Sequence, residues 1–326
     1  MIEATTKALA ALRAMDAGPL SQGLSPENAA ACLNQAIRPL NAISLSAALK
    51  RCSIRPQRIG LVVPEGVFTT PVEWTALAAS AGCSVHLKAP SSDPALCRAL
   101  SERFEHEGLN VTWSIDRTLP TVDSIIAFGH DDTVSSIAKN HPDKTVLQYG
   151  HRFSFAVVTG DPNHAVGPLA VDVSRYDTRG CMAPTAVFTT GNPEQLMASL
   201  APLMTQMEHR YPRGSIDPGL GPEWRRRIGL ANVVGQVKTG PSWAITITPI
   251  DHFVPVALPR MVNIHPVKSL DTLRDFMVRY TDWLSTLGTD DPNLQIPGIH
   301  RTCQLGWMQA PSIPRNHDGR PMLFGL

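Results

Sequence analysis

Arg58–Lys88 reads RIGLVVPEGVFTTPVEWTALAASAGCSVHLK, and the alternation inside it decides the fold class. Arg58–Val63 is a short apolar run bounded by Pro64-Glu65-Gly66, the pattern of a buried strand. Pro71–Ala81 carries helical spacing, and Cys83–Leu87 is a second strand-like run. The alternation continues outward. Ser92–Glu107 is a predicted helix opened by Ser-Ser-Asp, Leu109–Ile115 a third strand and Val122–Phe128 a fourth. Asp131–Asn140 follows as a helix, and Val146–Tyr149 and Phe153–Val158 as strands. Short strands alternating with helices predict an α/β protein with largely parallel sheets, an arrangement that commonly holds nucleotides. Upstream, residues 26–50 place apolar residues at helical spacing behind a start signal at Ser25 or Asn28. Downstream, a helix over Ala165–Arg179 leads to Gly180-Cys181, and Ala186–Thr190 is a strand. Pro193–His209 is an amphipathic helix, and the Pro- and Gly-rich residues 211–223 a surface loop. Trp243–Thr248 and Met261–His265 are strands, Leu270–Leu284 a helix, and the tail from Pro297 irregular.

A chain of 326 residues suggests two domains, and the pattern puts the boundary near residue 150. Residues 1–150 hold the N-terminal helices and a nucleotide domain; 151–326 form a second domain with the tail. The formal net charge is +1, so no global field draws the chain to nucleic acid or an anionic membrane surface. No apolar stretch approaches the roughly 18 residues of a membrane span. Glu3 stands where a signal peptide would carry positive charge, so the expected location is the cytoplasm. The six cysteines show no CxxC pair, and the eleven histidines form no H-E-x-x-H; no metal site is expected.

Four segments carry candidate chemistry. In Asp172-Val-Ser-Arg-Tyr-Asp-Thr-Arg-Gly-Cys181-Met-Ala-Pro184, a cysteine just past a glycine sits on a turn between helix and strand. Arg175 and Arg179 are placed to favour its thiolate, the reactive form; taken locally, such a cysteine is more often inert. In Gln148-Tyr-Gly150-His-Arg152, Gly150 allows close backbone approach, although a plain strand turn explains it equally. Lys88 leaves a strand just before Ser91-Ser92-Asp93, so a cation and helix-start N–H groups could meet a ribose or phosphate; a surface lysine is the simpler reading. Phe128-Gly129-His130 is another strand end before a helix start, and it lacks the G-x-G-x-x-G spacing.

Taken in order, these segments resemble the aldehyde dehydrogenase superfamily. Lys88-Ala-Pro-Ser91 resembles its Lys-Pro-Ser element and Phe128-Gly129-His its Phe-Thr-Gly-Ser element. Gln148-Tyr-Gly150-His-Arg resembles Glu-Leu-Gly-Gly-Lys, and Thr-Arg-Gly-Cys181 the Gly-Gln-x-Cys loop. Within the superfamily, Tyr-Gly-His-Arg-x-Ser, Tyr-Asp-x-Arg-Gly-Cys-x-x-Pro and the tail Cys303-Gln-Leu-Gly-Trp-Met-Gln-Ala-Pro resemble the acyl-CoA reductase branch. That branch is the family of the fatty-acid reductase of bacterial luminescence.

The resemblance implies a two-domain α/β fold and Cys181 as the nucleophile that takes an acyl group from acyl-CoA or an acyl carrier protein. It implies NADPH or NADH held near Lys88, Ser91, Phe128, Gly129 and Gly150, and reduction of the acyl-cysteine to an aldehyde. It also implies a homo-oligomer or a partner of a biosynthetic enzyme. Gln148 stands where the superfamily has a general-base Glu. A Gln takes no proton from water, so the acyl-enzyme should resist hydrolysis while remaining open to hydride. The turn where relatives place an oxyanion-holding Asn reads Pro64-Glu-Gly-Val, and the N-terminal section is short for the family. Two alternatives stay open: a non-catalytic subunit that binds an acyl donor or a partner, and an acyl-phosphate reductase.

Overall fold

The computed structural model describes residues 1–21, 23–52 and 57–323. The chain folds into two compact units. One comprises Met1–Gln22, Ala29–His151 and Ser312–Leu326, the other Gly23–Asn28 and Arg152–Pro311. The tail from Ser312 thus groups with the first unit, whereas the sequence pattern runs the second domain to the C-terminus.

The first unit opens with helices α1 (Ile2–Arg13), α2 (Pro26–Ile37) and α3 (Ala42–Leu49). The stretch predicted as helical over 26–50 is therefore two helices. Asn41 ends the break between them by capping Ile43 and Ser44 N–H with its side chain, a position where such a residue is worth about 1 kcal/mol. Ser25 Oγ accepts from Asn28 N–H at 3.2 Å, as its start signal predicts. Strand β1 (Arg58–Val62), α4 (Thr70–Ser80), β2 (Ser84–Lys88), α5 (Ala95–His106), β3 (Val111–Ser114), β4 (Ser124–Phe128), α6 (Asp131–Asn140) and β5 (Thr145–Tyr149) follow. The sheet order is β3-β2-β1-β4-β5, parallel throughout. Helices α1, α3, α4 and α5 pack together, while α6 covers a separate cluster built on Val122, Ile125, Ala127 and Val134. β1 is the switch strand: the chain leaves it toward β2 on one side and returns to β4 on the other.

The second unit contains β6 (Phe153–Val158), α7 (Pro162–Ser174), β7 (Pro184–Thr189), α8 (Pro193–Arg210), α9 (Gly221–Val234), β8 (Gln236–Thr239), β9 (Ala244–Ile247), β10 (Met261–Pro266), α10 (Leu270–Met277), β11 (Leu284–Thr289) and β12 (Arg301–Gln304). The order is β12-β11-β6-β7-β10-β9-β8. Every pair is parallel except β8 with β9. Alternate residues of β6 feed opposite faces. Ala156 and Val158 join the cluster under α7 and α8, whereas Phe153, Phe155 and Val157 join the aromatic cluster with Leu273 and Met277 of α10. The tail adds a short hairpin to the first unit, β13 (Asn316–His317) with β14 (Arg320–Pro321).

Four sequence expectations need correction. The predicted helix over Ala165–Arg179 stops at Ser174, because Tyr176, Asp177 and Thr178 all take positive φ. The predicted helix over Leu270–Leu284 ends at Met277; a tight 3-10 turn over Val278–Trp283 leads into β11. The Gly-Pro at the end of the predicted 211–223 loop opens α9 instead, since Pro is well placed in a first helical turn. The tail from Pro297 contains β12 and the hairpin. Among the described residues, no helix is long and apolar enough to cross a membrane, and no group of three or more His, Cys, Asp or Glu could hold a metal.

Candidate active site

In the second unit, Cys181 lies on a tight turn at the amino end of β7. Gly180, at φ +88°, bends the chain, and Ala183 N–H donates to Gly180 O at 3.3 Å, putting Cys181 and Met182 at the turn's centre. The half-buried Cys181 is tied down through its carbonyl. The buried Ser154 Oγ donates to Cys181 O at 2.5 Å and accepts from Thr286 N–H at 2.9 Å. The turn is thus pinned to the amino ends of β6 and β11 together.

The approach to this turn is fixed by a buried ion pair. Asp177 Oδ1 accepts from Arg260 Nε at 2.7 Å with both side chains fully buried, and from Asn28 Nδ2 at 3.1 Å. Its Oδ2 accepts from Gly214 N–H at 2.9 Å. Arg260 N–H donates to Thr178 Oγ1. These bonds hold the three left-handed residues, a conformation costing roughly 1–3 kcal/mol each for non-glycine residues, and so end α7 before the Cys181 turn.

The arginines predicted to flank the cysteine are occupied elsewhere. Arg179 donates to Gly23 O at 2.8 Å and Ser215 O at 2.9 Å. Arg175 lies over the Tyr211 ring at 4.5 Å. The guanidinium that reaches the turn is Arg301, whose Nη1 stands 3.9 Å from Met182 Sδ. Sequence reasoning missed Arg301, Ser154 and the role of Asp172. Arg301 lies two residues before the Cys303 tail that carried the resemblance, and nothing local pairs it with Met182.

The remaining predicted residues lie in the first unit, at the carboxyl edge of its sheet. Lys88 ends β2 and donates only weakly, to Ala89 O at 3.4 Å. Ser91 is exposed, and its neighbour Ser92 donates to Glu65 Oε1 at 2.8 Å, linking the loops after β1 and β2. The predicted helix start at Ser92 is displaced: α5 begins at Ala95 behind Pro94. Phe128 is 9% exposed, stacked on Tyr149 at 4.9 Å and edge-on to Trp74 and His317. Gly129 N–H donates to Tyr149 O. Gly150 has a local reason: a Cβ there would stand 1.8 Å from Asp131 Oδ1, the oxygen that accepts from His151 N–H at 2.8 Å. Gln148 is exposed on β5, opposite Ala127 in the sheet register.

Residues 110–326 match the model of the acyl-CoA reductase (LuxC) family, a span that includes the Cys181 turn. The chain belongs to the acyl-CoA reductase (LuxC) family. No curated protein sequence matches it, but its fold is that of the aldehyde dehydrogenases. An oxidoreductase from Marinobacter aquaeolei superposes with a TM-score of 0.77 at 13% identity, covering 98% of this chain and 80% of that one. Aldehyde dehydrogenase 21 from Physcomitrella patens, in complex with succinate, gives 0.73 at 12%, covering 99% and 81%. The P. syringae indole-3-acetaldehyde dehydrogenase, in complex with NAD+ and IAA, gives 0.72 at 12%, covering 94% and 76%.

Proposed function

We propose that this member of the acyl-CoA reductase family reduces an acyl thioester, of CoA or an acyl carrier protein, to an aldehyde. Membership of that family, with Cys181 held on a pinned turn inside the matched span, is the observation that carries the reading. The Cys181 thiolate attacks the thioester carbonyl; a new C–S bond to Cys181 forms, the acyl carbon's bond to the donor sulfur breaks, and the donor leaves as a thiolate that takes a proton from solvent. Covalent capture splits one difficult displacement into two easier ones. Cleavage of the acyl–Cys181 bond on reduction frees the aldehyde and restores the thiolate.

The carboxyl edge of the first unit's sheet suits a nicotinamide dinucleotide, NADPH or NADH. Gly66 after β1 has φ +96°, and a Cβ there would meet no atom within 4 Å. Lys88 offers a half-buried cation beside the exposed Ser91. A dinucleotide bound there would supply the hydride. A phosphate is better placed by Lys88 than at the α6 N-terminus, where Asp131 and Asp132 already carry negative charge. Gln148, at the position where the resemblance puts a general-base Glu, takes no proton from water.

Incubation with acyl-CoA and no reduced cofactor tests the reading. Intact mass should rise by one acyl group, peptide mapping should place it on the Cys181 fragment, and reduced nicotinamide should clear it with release of aldehyde. Cys181→Ala should show neither adduct nor turnover. Folded, cofactor-binding wild-type protein that forms no adduct would instead identify a non-catalytic acyl-donor-binding subunit.

A further inference from the structure

Three segments of the second unit converge on Arg301, and the mechanism above leaves that residue unused. Its Nη1 donates to Met308 O at 2.6 Å, and Nη2 donates to Trp307 O. The same Nη1 lies 3.4 Å from Thr286 Oγ1 and 3.9 Å from Met182 Sδ, a residue 119 positions upstream. Thr286 is the residue whose N–H donates to Ser154 Oγ, the hydroxyl that holds the Cys181 carbonyl. The guanidinium is therefore linked to the Cys181 turn through three hydrogen bonds by one route, by way of Thr286 and Ser154, and touches it through Met182 by another.

The loop that grips Arg301 is itself fixed from below. Asp172 of α7, 1% exposed, accepts from Gly306 N–H at 2.5 Å and Met308 N–H at 3.0 Å. Gln309 Nε2 donates to Asp172 O at 2.6 Å and Arg175 O at 2.8 Å. Gly306 sits at φ +87° with Pro168 directly against it, so the loop has little room to shift. The loop's N–H groups face the Asp172 carboxylate and its carbonyls face the Arg301 guanidinium. A planar fork with five donors suits this use, and a lysine could copy the charge without the fork.

We propose that Arg301 is a positioning residue of the Cys181 turn, orienting it through Met182 and Thr286 and supplying the cation beside it that favours the thiolate. This rests on the reading of Cys181 as the nucleophile. The charged groups on the elements around the turn include Asp172 on α7, Arg175, Asp177 and Arg179 before the turn, and Arg301 on β12; Asp177 is paired with the buried Arg260. Arg175 is committed to Tyr211, Arg179 to two carbonyls. A full positive charge brought near a thiol lowers its pKa, as at other activated cysteines.

The test compares Arg301→Gln and Arg301→Lys with wild type by following iodoacetamide modification of the Cys181 peptide against pH. The peptide of Cys52, half-buried in the first unit, serves as internal reference, and melting temperature as a check on folding. Arg301→Gln should raise the Cys181 midpoint by about one pH unit, a tenfold loss of thiolate near neutrality, and slow acylation by a similar factor. Arg301→Lys should recover most of the midpoint while losing melting temperature as Arg301→Gln does, because it keeps the charge and loses the fork. A purely structural role would make the two variants alike in midpoint, and unchanged midpoint and acylation rate in Arg301→Gln would equally overturn the proposal. If Arg301→Gln does not fold, Arg301→Lys decides: a wild-type midpoint supports the charge, a shifted one refutes it. Alkylation reads the thiol whether or not acyl-CoA reacts. A wild-type Cys181 that is alkylated but never acylated therefore defeats the nucleophile reading separately.

Discussion

Each α/β unit has a topological switch point, and the two are treated in opposite ways. In doubly wound sheets, ligands settle in the crevice outside the carboxyl ends of the strands where the winding reverses. In the first unit that place lies between β1 and β4, and the loop after β1 is turned by Gly66, with open space where a side chain would be. In the second unit it lies between β6 and β11. There the Asp290 carboxylate accepts from Thr159 N–H at 2.9 Å, Gly160 N–H at 2.8 Å and Thr159 Oγ1 at 3.0 Å. Backbone donors of the kind that bind anions are filled from within. The second unit keeps its candidate chemistry at the other edge, where Cys181 precedes β7 and Arg301 begins β12. One unit thus leaves its carboxyl edge open after β1, and the other fills that edge from within and carries the Cys181 turn at its amino edge.

The sharpest way to break this comparison is to disturb the device that delivers Cys181 to the amino edge. Asp177→Ala would leave Arg260 buried without its counter-ion. Breaking such a pair costs about 3–5 kcal/mol, so urea unfolding should show a large fall in midpoint with little change in slope. The three left-handed residues would also lose their anchor, and Cys181 acylation should fall more than stability alone explains. A loss below about 1 kcal/mol would mean that the ion pair does not hold the turn.

A paired experiment separates the two switch points directly. Lys88→Ala should weaken nicotinamide binding by about 1.5–3 kcal/mol, the worth of a hydrogen bond to a charged group, and leave the melting temperature nearly unchanged. Asp290→Ala should do the reverse, costing about 1–3 kcal/mol of stability as backbone donors lose a charged acceptor while cofactor affinity stays the same. Calorimetric titration and thermal melts on both variants check the crossing pattern. Loss of affinity in Asp290→Ala, or its absence in Lys88→Ala, would erase the distinction between open and plugged edges.

How legible these two edges were follows from the range of the interactions that make them. The first unit's strands and helices lie close to where alternation and periodicity put them, since each is fixed by local pattern and a short connection. Gly150 was noticed as a close-approach glycine, and its reason, Asp131, lies only about one helix away. The second unit misled in the places where distant residues decide. Nothing between Ala165 and Arg179 announces that Arg260 will end the helix at Ser174. Leu270, Leu273, Met277 and Leu284 keep helical spacing into what is in fact β11. Arg175 and Arg179 are neighbours of Cys181 in sequence, yet the contact with its turn comes from Arg301. The Cys181 turn was legible because it is local, a cysteine just past Gly180 and before Pro184. The groups that contact this turn, Ser154 and Arg301, were not, because they belong to the amino ends of strands far apart in the chain.

The smallest effect expected is one that cancels in the wild type. Burial pushes the Asp172 carboxyl up to about 7, above the ordinary 3.8, and pushes His265 down to about 4 from 6.5. In the first unit, the buried Cys97 thiol is pushed up to about 12 and the Tyr149 hydroxyl is raised as well, so neither titrates in mild acid. Mild acid should therefore act on these two second-unit groups with opposite signs, while His86 of β2, held below its ordinary 6.5 by burial, acts with the same sign as His265. Below pH 6.5 the unfolded chain protonates His265 while the folded chain resists until about pH 4, so stability falls as pH falls through that window. Between about pH 7 and 3.8 the folded chain holds a proton on Asp172 that the unfolded chain releases, so stability rises as pH falls. Each contributes up to one proton, about 1.4 kcal/mol per pH unit, and across about pH 4.5–6 the two slopes offset. Urea midpoints for Asp172→Asn should thus drop steadily as pH is lowered, on top of a constant loss from the weakened Gly306 and Met308 contacts. His265→Phe should show the opposite slope, its stability rising toward about pH 4.5, and parallel pH profiles in the two variants would mean that neither group titrates as its burial requires.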